Sequence, residues 1–529
     1  MNSLVNEDKK EITKQVDWLV MLVPLVIVIA LCVLFTVFPS QSSFSLSYIR
    51  SFLSDDLGIY YAILGLGTFI CSIYIAFSRF GKIILGNNKL STLGRNDPKI
   101  PRESVKACKP EYSSFRWGVM VFTSTMAADI VFYSLCEWAL YANESHIKSL
   151  GNVQTWASTY PLFHWGPIAW SFYVLLAVSF GFMLHTRKRD KQKFSEACRP
   201  ILGKYTDGVA GKVIDLVAIF SLIAGTATTF SLATPLLSSA VSKLFNLSHS
   251  TSVTIFILLL IALIYTVTVL IGMDGISKLA TYCSYLFFVL LFYFLFLGGE
   301  TRYILETGLS SLGNLVQNFV TMSTWLDPLR ETSFPQKWTL YYWAYWMVWC
   351  VATPFFIGTI SRGRSIKKVI LEGYAWGIAG TFTSFIILGN YGLAQELKHG
   401  LDVSGTIAKT NDYSRAILEI FNTLPLPNVA LILLVVTMIA FYSTTFDALT
   451  MVVSAYSYKN LELGKTPSKK MRTFWSITFI LFPIALIFSE NSMFSLQSVS
   501  IIAAFPIGIA IILIIASFIK DANLFLNEQ

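Results

Sequence analysis

The sequence predicts an all-α integral membrane protein, and three observations carry that prediction. Hydrophobic residues make up 54% of the 529 residues and charged residues only 13%, with a mean hydropathy of +0.60. A soluble globular protein carries about twice that charge, roughly 25%. Apolar runs of about 20 residues, enough to cross a bilayer as a helix, recur along the whole chain. Lys and Arg concentrate in alternate connections between those runs.

Twelve transmembrane helices are expected, near residues 18–38, 59–77, 117–140, 162–184, 214–237, 253–271, 279–296, 338–360, 369–388, 429–452, 475–488 and 499–519. The first follows a mixed-charge head, Glu7 to Lys14, and has no small-residue cleavage site. It therefore reads as a retained span rather than a signal peptide. Basic clusters follow the second span (Arg79 to Lys109), the fourth (Arg187 to Lys191), the eighth (Arg362 to Lys368) and the tenth (Lys459 to Arg472). The positive-inside rule then expects a multi-pass protein of the inner, cytoplasmic membrane with both termini in the cytoplasm. The net charge of +9 is explained by topology, so no nucleic-acid partner is expected.

Between the seventh and eighth spans, Leu305, Leu309, Leu312, Leu315, Val316 and Phe319 recur at helical spacing. That segment reads as an amphipathic helix lying on the membrane. Seven scattered cysteines, with no Cys-x-x-Cys or His-rich spacing, indicate neither disulfides nor a metal cluster. No Gly-x-x-x-x-Gly-Lys-Ser/Thr loop supports ATP-driven transport. A membrane-embedded enzyme is the competing class, but the five histidines form no catalytic constellation. Secondary transport is the class that remains.

The segment from Lys337 to Trp349 packs Trp338, Trp343, Trp346 and Trp349 with Tyr341, Tyr342 and Tyr345 into one span. Rings three and four positions apart crowd neighbouring faces of a helix. One reading is an interfacial belt with aromatic packing. The other is a cage of π-faces around a quaternary ammonium, which offers no N–H to a hydrogen-bond acceptor. Asp129 lies far from either end of the third span, where an ionisable side chain costs at least about 2.5 kcal/mol to insert. Functionally it is a substrate or coupling group; structurally it would pair with a hydroxyl or with Lys278. Glu137, two turns on, sits nearer the outer end and reads as structural.

Four segments together resemble the betaine/carnitine/choline transporter family: Phe163-His-Trp-Gly-Pro-Ile-Ala-Trp-Ser-Phe-Tyr173, Gly225-Thr-Ala-Thr-Thr-Phe-Ser-Leu-Ala-Thr-Pro235, Trp338-Thr-Leu-Tyr-Tyr-Trp-Ala-Tyr-Trp346 and Ile360-Ser-Arg-Gly-Arg-Ser365. Two positions depart from the family pattern. Lys337 stands where a small or polar residue is usual, and Tyr345 where the first of two adjacent tryptophans is usual.

The resemblance implies an inverted five-helix-repeat (LeuT-like) transporter fold with a midplane binding site. Residues 1–112 would hold the N-terminus and two peripheral spans, and 113–300 the first repeat. Residues 301–337 would hold the amphipathic segment, 338–520 the second repeat and 521–529 a short cytoplasmic tail. A homotrimer in the lipid bilayer is implied, and a tail this short implies no strong osmotic activation.

By position, the family's aromatic box falls on Trp165, Trp170, Tyr173, Tyr345, Trp346 and Trp349. Each desolvated ring face would contribute up to about 2 kcal/mol of cation–π attraction. Betaine carriers lack an acid at Asp129 because betaine brings its own carboxylate; Asp-x-x-Phe-aromatic-Ser resembles the choline branch. A desolvated carboxylate there could also take the coupling proton. Thr444 and Thr445 match a sodium-ligating hydroxyl pair, with Met126 as a further coupling position. Lys278 lies where sodium-independent carnitine exchangers place a basic substitute for the ion, although the chain is one residue shorter there. The expected function is cation-coupled choline uptake, protons ahead of sodium. Glycine betaine symport and ion-independent carnitine or γ-butyrobetaine exchange are the alternatives. No cofactor is expected beyond a coupling sodium ion or proton.

Overall fold

The computed structural model describes residues 16–87, 108–125, 128–189, 191–248, 251–271, 273–461, 466–488 and 493–528. At 123–125, 265, 268–271, 273–281, 447–448, 487–488 and 494–495 only the backbone is described. Among these residues every regular element is helical, apart from two isolated backbone bridges. A chain this apolar has little choice. Inside hydrocarbon each N–H and C=O must find its partner within the protein, and a helix provides that within one segment.

Among the described residues seven helices are long and apolar enough to cross a membrane by length and composition: Trp18–Val37, Gly58–Phe77, Val153–Thr186, Val209–Leu244, Ile366–His399, Pro427–Tyr456 and Leu496–Asn527. The pair Tyr282–Leu297 and Thr301–Thr324, bent by 109°, makes an eighth if taken as one span. Helices also lie over the other expected stretches, but several are shorter or divided. Over 117–140 the described residues are helical on both sides of 126–127, as Ser114–Thr125 and Ala128–Asn143. Over 338–360 a π turn at Pro335–Thr339 leads into Leu340–Trp349, and a second helix, Thr353–Thr359, follows a break. Pro354 in the first turn of that second helix has no N–H to continue the earlier ladder. Gly166 and Pro167 likewise divide Val153–His164 from Pro167–Gly181.

The Met493–Asn527 helix packs against both Val209–Leu244 and the aromatic helix Leu340–Trp349. Pro167–Gly181 packs against Gly58–Phe77, Thr353–Thr359 and Ile366–Ser384. Trp18–Val37 is peripheral, with 22% of its apolar window buried, and leans on Lys469–Phe488. Thr301–Thr324 splits the expected leucine stripe. Leu315 is buried and Leu312 and Phe319 are partly covered, whereas Leu305, Leu309 and Val316 are exposed.

At the basic end of the bundle, the Ser-Arg-Gly-Arg segment forms a backbone strap with the chain after Gly58–Phe77. Gly363 N–H donates to the Leu85 carbonyl at 2.8 Å, Leu85 N–H to Arg364 at 2.9 Å, and Ile366 N–H to Ile83 at 2.9 Å. The buried Arg364 pairs with Glu372, donates to the Tyr112 carbonyl at 3.0 Å, and lies 4.6 Å over the Trp117 ring. Gly363 adopts φ +80°, and a Cβ there would stand 2.3 Å from the Lys109 carbonyl oxygen. Gly363→Ala should therefore combine left-handed strain with a backbone clash, roughly 1–3 kcal/mol or more. Thermal unfolding in detergent should show a clearly lowered midpoint; an unchanged midpoint would contradict the described strap.

Candidate functional site

Trp346 is the hub of the aromatic cluster. Its ring centroid lies 5.7 Å from Trp165, 5.4 Å from Trp170 and 4.8 Å from Tyr173, at interplanar angles of 75°, 56° and 59°. Such tilted and edge contacts set the positive edge of one ring against the negative face of another. Tyr345 meets Trp349 at 6.4 Å. All six rings expected to form a box are buried. Four of them touch through Trp346, and the other two form a pair beside it.

Local backbone explains how rings from three segments converge. Trp165 ends the Val153–His164 helix, so its carbonyl has no partner in that ladder; Thr381 Oγ1 donates to it at 2.9 Å. Trp170 and Tyr173 stand on the next helix, re-aimed by the break at Gly166. Glycines let helices carrying bulky rings approach. A Cβ at Gly377 would lie 2.4 Å from the Trp170 ring, and one at Gly225 3.2 Å from Trp349.

Asp129 is 5% exposed and lies on Ala128–Asn143, close after residues 126–127, which lie outside the described residues. The backbone N–H groups of Asp129 and Ile130 donate to its carboxylate. The Tyr345 hydroxyl donates to Asp129 Oδ2 and is also hydrogen-bonded with Thr229 Oγ1. Two unusual features of the sequence thus touch. The tyrosine standing where a tryptophan is usual supplies the hydroxyl that meets the acid.

Glu137 is fully buried and holds one ring of the cluster. Trp165 Nε1 donates to its Oε2 at 2.9 Å and Tyr141 Oη to its Oε1 at 2.6 Å. Tyr141 Oη also lies 2.7 Å from His164 Nδ1, and His164 Nε2 lies 3.0 Å from Thr339 Oγ1. Tyr133 borders both halves of the cluster, 5.8 Å from Trp165 and 6.5 Å from Tyr345, with its hydroxyl 2.8 Å from Tyr341 Oη. Sequence reasoning missed Tyr133, Thr229 and the tie between Glu137 and Trp165. A signal existed: Asp129, Tyr133 and Glu137 stand four apart on one helical stripe.

The expected coupling residues are less informative. Thr444 Oγ1 donates back to the Ala440 carbonyl at 3.2 Å and Phe441 at 3.0 Å, the local bond typical of threonine in helices. Thr445 is half-buried. Met126 and the side chain of Lys278 lie outside the described residues. Among the described residues no group of three or more His, Cys, Asp or Glu could hold a metal ion.

Glu137→Leu would strip an acceptor from two buried donors, about 1–3 kcal/mol each. The variant should unfold at lower temperature in detergent and shift its tryptophan emission. Glu137→Gln keeps one acceptor and should lose less; equal stability of all three proteins would contradict the network.

Compared with known proteins, the chain matches the profile described as BCCT, betaine/carnitine/choline family transporter, over residues 19–524. It is 26% identical over 443 residues to a protein named carnitine transporter from Acinetobacter baumannii, covering 83% of this chain and 76% of that one. It is also 26% identical over 452 residues to the uncharacterized transporter YeaV of Escherichia coli K12, covering 85% of this chain and 89% of the other.

Proposed function

The chain belongs to the betaine/carnitine/choline transporter family, and on that premise we propose that it takes up choline by cation-coupled secondary transport. As a family member it is a multi-pass membrane transporter rather than an enzyme, and the family implies a small quaternary ammonium substrate. The finer architecture belongs to the same proposal: twelve spans, inverted repeats at 113–300 and 338–520, a homotrimer, an inner-membrane location and cytoplasmic ends.

One observation carries the choice of choline: the buried Asp129 carboxylate, met by the Tyr345 hydroxyl at the edge of the ring cluster. Choline is a cation with no acid of its own. Bound among the rings, its trimethylammonium group gains cation–π attraction and buries its methyls, and Asp129 balances its charge. A betaine or carnitine carboxylate would instead add a second negative charge to a water-poor site, where like charges repel strongly. In the empty carrier the Tyr345 hydroxyl partly satisfies the acid. Rings in contact at 4.8–5.7 Å must part to admit the headgroup, so binding and a change of helix spacing go together.

A second reading has its own support. The indole N–H groups of Trp170, Trp346 and Trp349 are buried without a hydrogen-bond partner among the described residues. Donors left free suit a substrate that brings a carboxylate, and the Acinetobacter relative is named a carnitine transporter. Asp129 variants separate the two. Asp129→Asn keeps the side-chain volume and removes the charge, so choline uptake should fall at least about tenfold, ~1.4 kcal/mol. Asp129→Gly should do the same while betaine transport is spared or improved. Wild-type choline uptake in both variants would overturn choline in favour of a zwitterion.

For coupling we favour protons over sodium. A carboxylate against the substrate's charge must be protonated or neutralised for the empty carrier to return at low cost; sodium ligands alone do not require the acid. In proteoliposomes an inward proton gradient without sodium should drive choline accumulation. Accumulation that needs sodium at Thr444 and Thr445, or needs preloaded substrate, would reverse that order.

A further inference from the structure

The four tryptophans of the ring cluster differ in what holds them. Among the described residues the indole N–H groups of Trp170, Trp346 and Trp349 have no hydrogen-bond partner. Trp165 is the exception of the four, its Nε1 donating to Glu137 Oε2 at 2.9 Å. The acceptor is itself anchored. Glu137 is fully buried, with Tyr141 Oη 2.6 Å from its Oε1 and the Tyr342 hydroxyl beside the same carboxyl. Tyr141 Oη also lies 2.7 Å from His164 Nδ1, and the His164 ring stacks on Tyr342 with centroids 5.0 Å apart at 15°. The carboxyl is thus fixed from several sides, and the indole must come to it.

Trp165 needs such a hold. It caps the end of Val153–His164, with φ −101° and ψ 18°, and Gly166 follows it at the break. Its ring touches Trp346 at 5.7 Å, Phe385 at 5.1 Å, and Tyr133 and Tyr342 at 5.8 Å each, all at oblique or edge angles. Rotation of a tryptophan ring about its outer torsion has a broad minimum, so ring contacts alone define its tilt loosely. A hydrogen bond from the indole nitrogen removes that freedom. The tilt matters because a cation is attracted by the face of an aromatic ring and not by its edge.

We propose that Glu137 is a positioning residue for substrate binding: by holding the Trp165 indole N–H, it sets the face that this ring presents to a trimethylammonium group. This rests on the reading in which Trp165 touches the substrate, and it adds the group that aims that wall of the site. The other three indoles are placed by ring packing; this one is placed by a bond to a neighbouring helix, Ala128–Asn143, which also carries Asp129.

The test is a double-mutant cycle on choline binding to the full chain, read by calorimetry. Glu137→Leu removes the acceptor, Glu137→Gln keeps one oxygen for the indole, and Trp165→Phe keeps a ring without the N–H. Glu137→Leu should weaken choline about five- to tenfold, the factor of one hydrogen bond, and Glu137→Gln should stay within about twofold of the unaltered protein. Combined with Trp165→Phe, Glu137→Leu should add less than about twofold, because the bond it removes is already gone. A loss from Glu137→Leu that is the same with and without Trp165→Phe makes the carboxyl purely structural and overturns the assignment. So does an unchanged affinity in Glu137→Leu, or a Glu137→Gln protein as weak as Glu137→Leu. Should Glu137→Leu not fold, the cycle is run with Glu137→Asp, whose carboxyl stops one methylene short of the indole, and the same outcomes decide. Each of these results leaves the transport reading standing. If the unaltered protein binds glycine betaine and not choline, the choline reading falls and the cycle is read with betaine. Binding of neither overturns the transport reading and this assignment with it.

Discussion

A carboxylate removed from water inside a bilayer needs donors or a cation around it, and the surroundings of Asp129 answer that need in layers. Its carboxylate takes hydrogen bonds from the backbone N–H groups of Asp129 and Ile130. Tyr345 adds a hydroxyl from a second helix, and Thr229 ties that hydroxyl to a third. The rings of Trp165, Trp346, Tyr173 and Tyr133 then keep water out, and low polarizability strengthens whatever electrostatic partner arrives. Because the acid and its donor belong to different helices, the bond between them is also a contact between elements. A cation that competes for the acid acts on that contact.

Packing rings so closely imposes its own conditions. Broad side chains push helices apart, so the helices facing them must be thin, and Gly377 and Gly225 make them so. The breaks at Gly166–Pro167 and before Pro354 re-aim rings that an unbroken helix would carry past the site. Each break frees backbone groups that hydrocarbon cannot satisfy. Thr381 takes up the one at Trp165, so the position of the ring is paired with the repair of the break.

Much of this could be read in the chain before any coordinates. The aromatic segment stands out because midplane helices seldom need so many rings, and Asp129 because acids at that depth are costly. Pairwise relations were harder. Tyr345 and Asp129 are separated by 216 positions and Trp165 and Glu137 by 28, and no periodicity spans such distances. Hydropathy also averages over breaks, so 338–360 reads as continuous although it holds two helices. Thr444 was named from resemblance, and its hydroxyl donates to its own helix, which leaves the oxygen lone pairs that a cation would use. Met126 and the Lys278 side chain fall outside the described residues.

The strap between residues 83–85 and 363–366 is made of main-chain groups on both sides. Its strength therefore depends on chain path rather than on which side chains occupy those positions, Gly363 excepted. Mechanically it behaves as a weld between two helices distant in sequence, Gly58–Phe77 and Ile366–Ser384, which also pack along their length. A displacement of one must carry the other. The pivot for any rearrangement at the rings is thereby pushed away from this corner of the bundle, toward the segments on the far side of the break at Pro354.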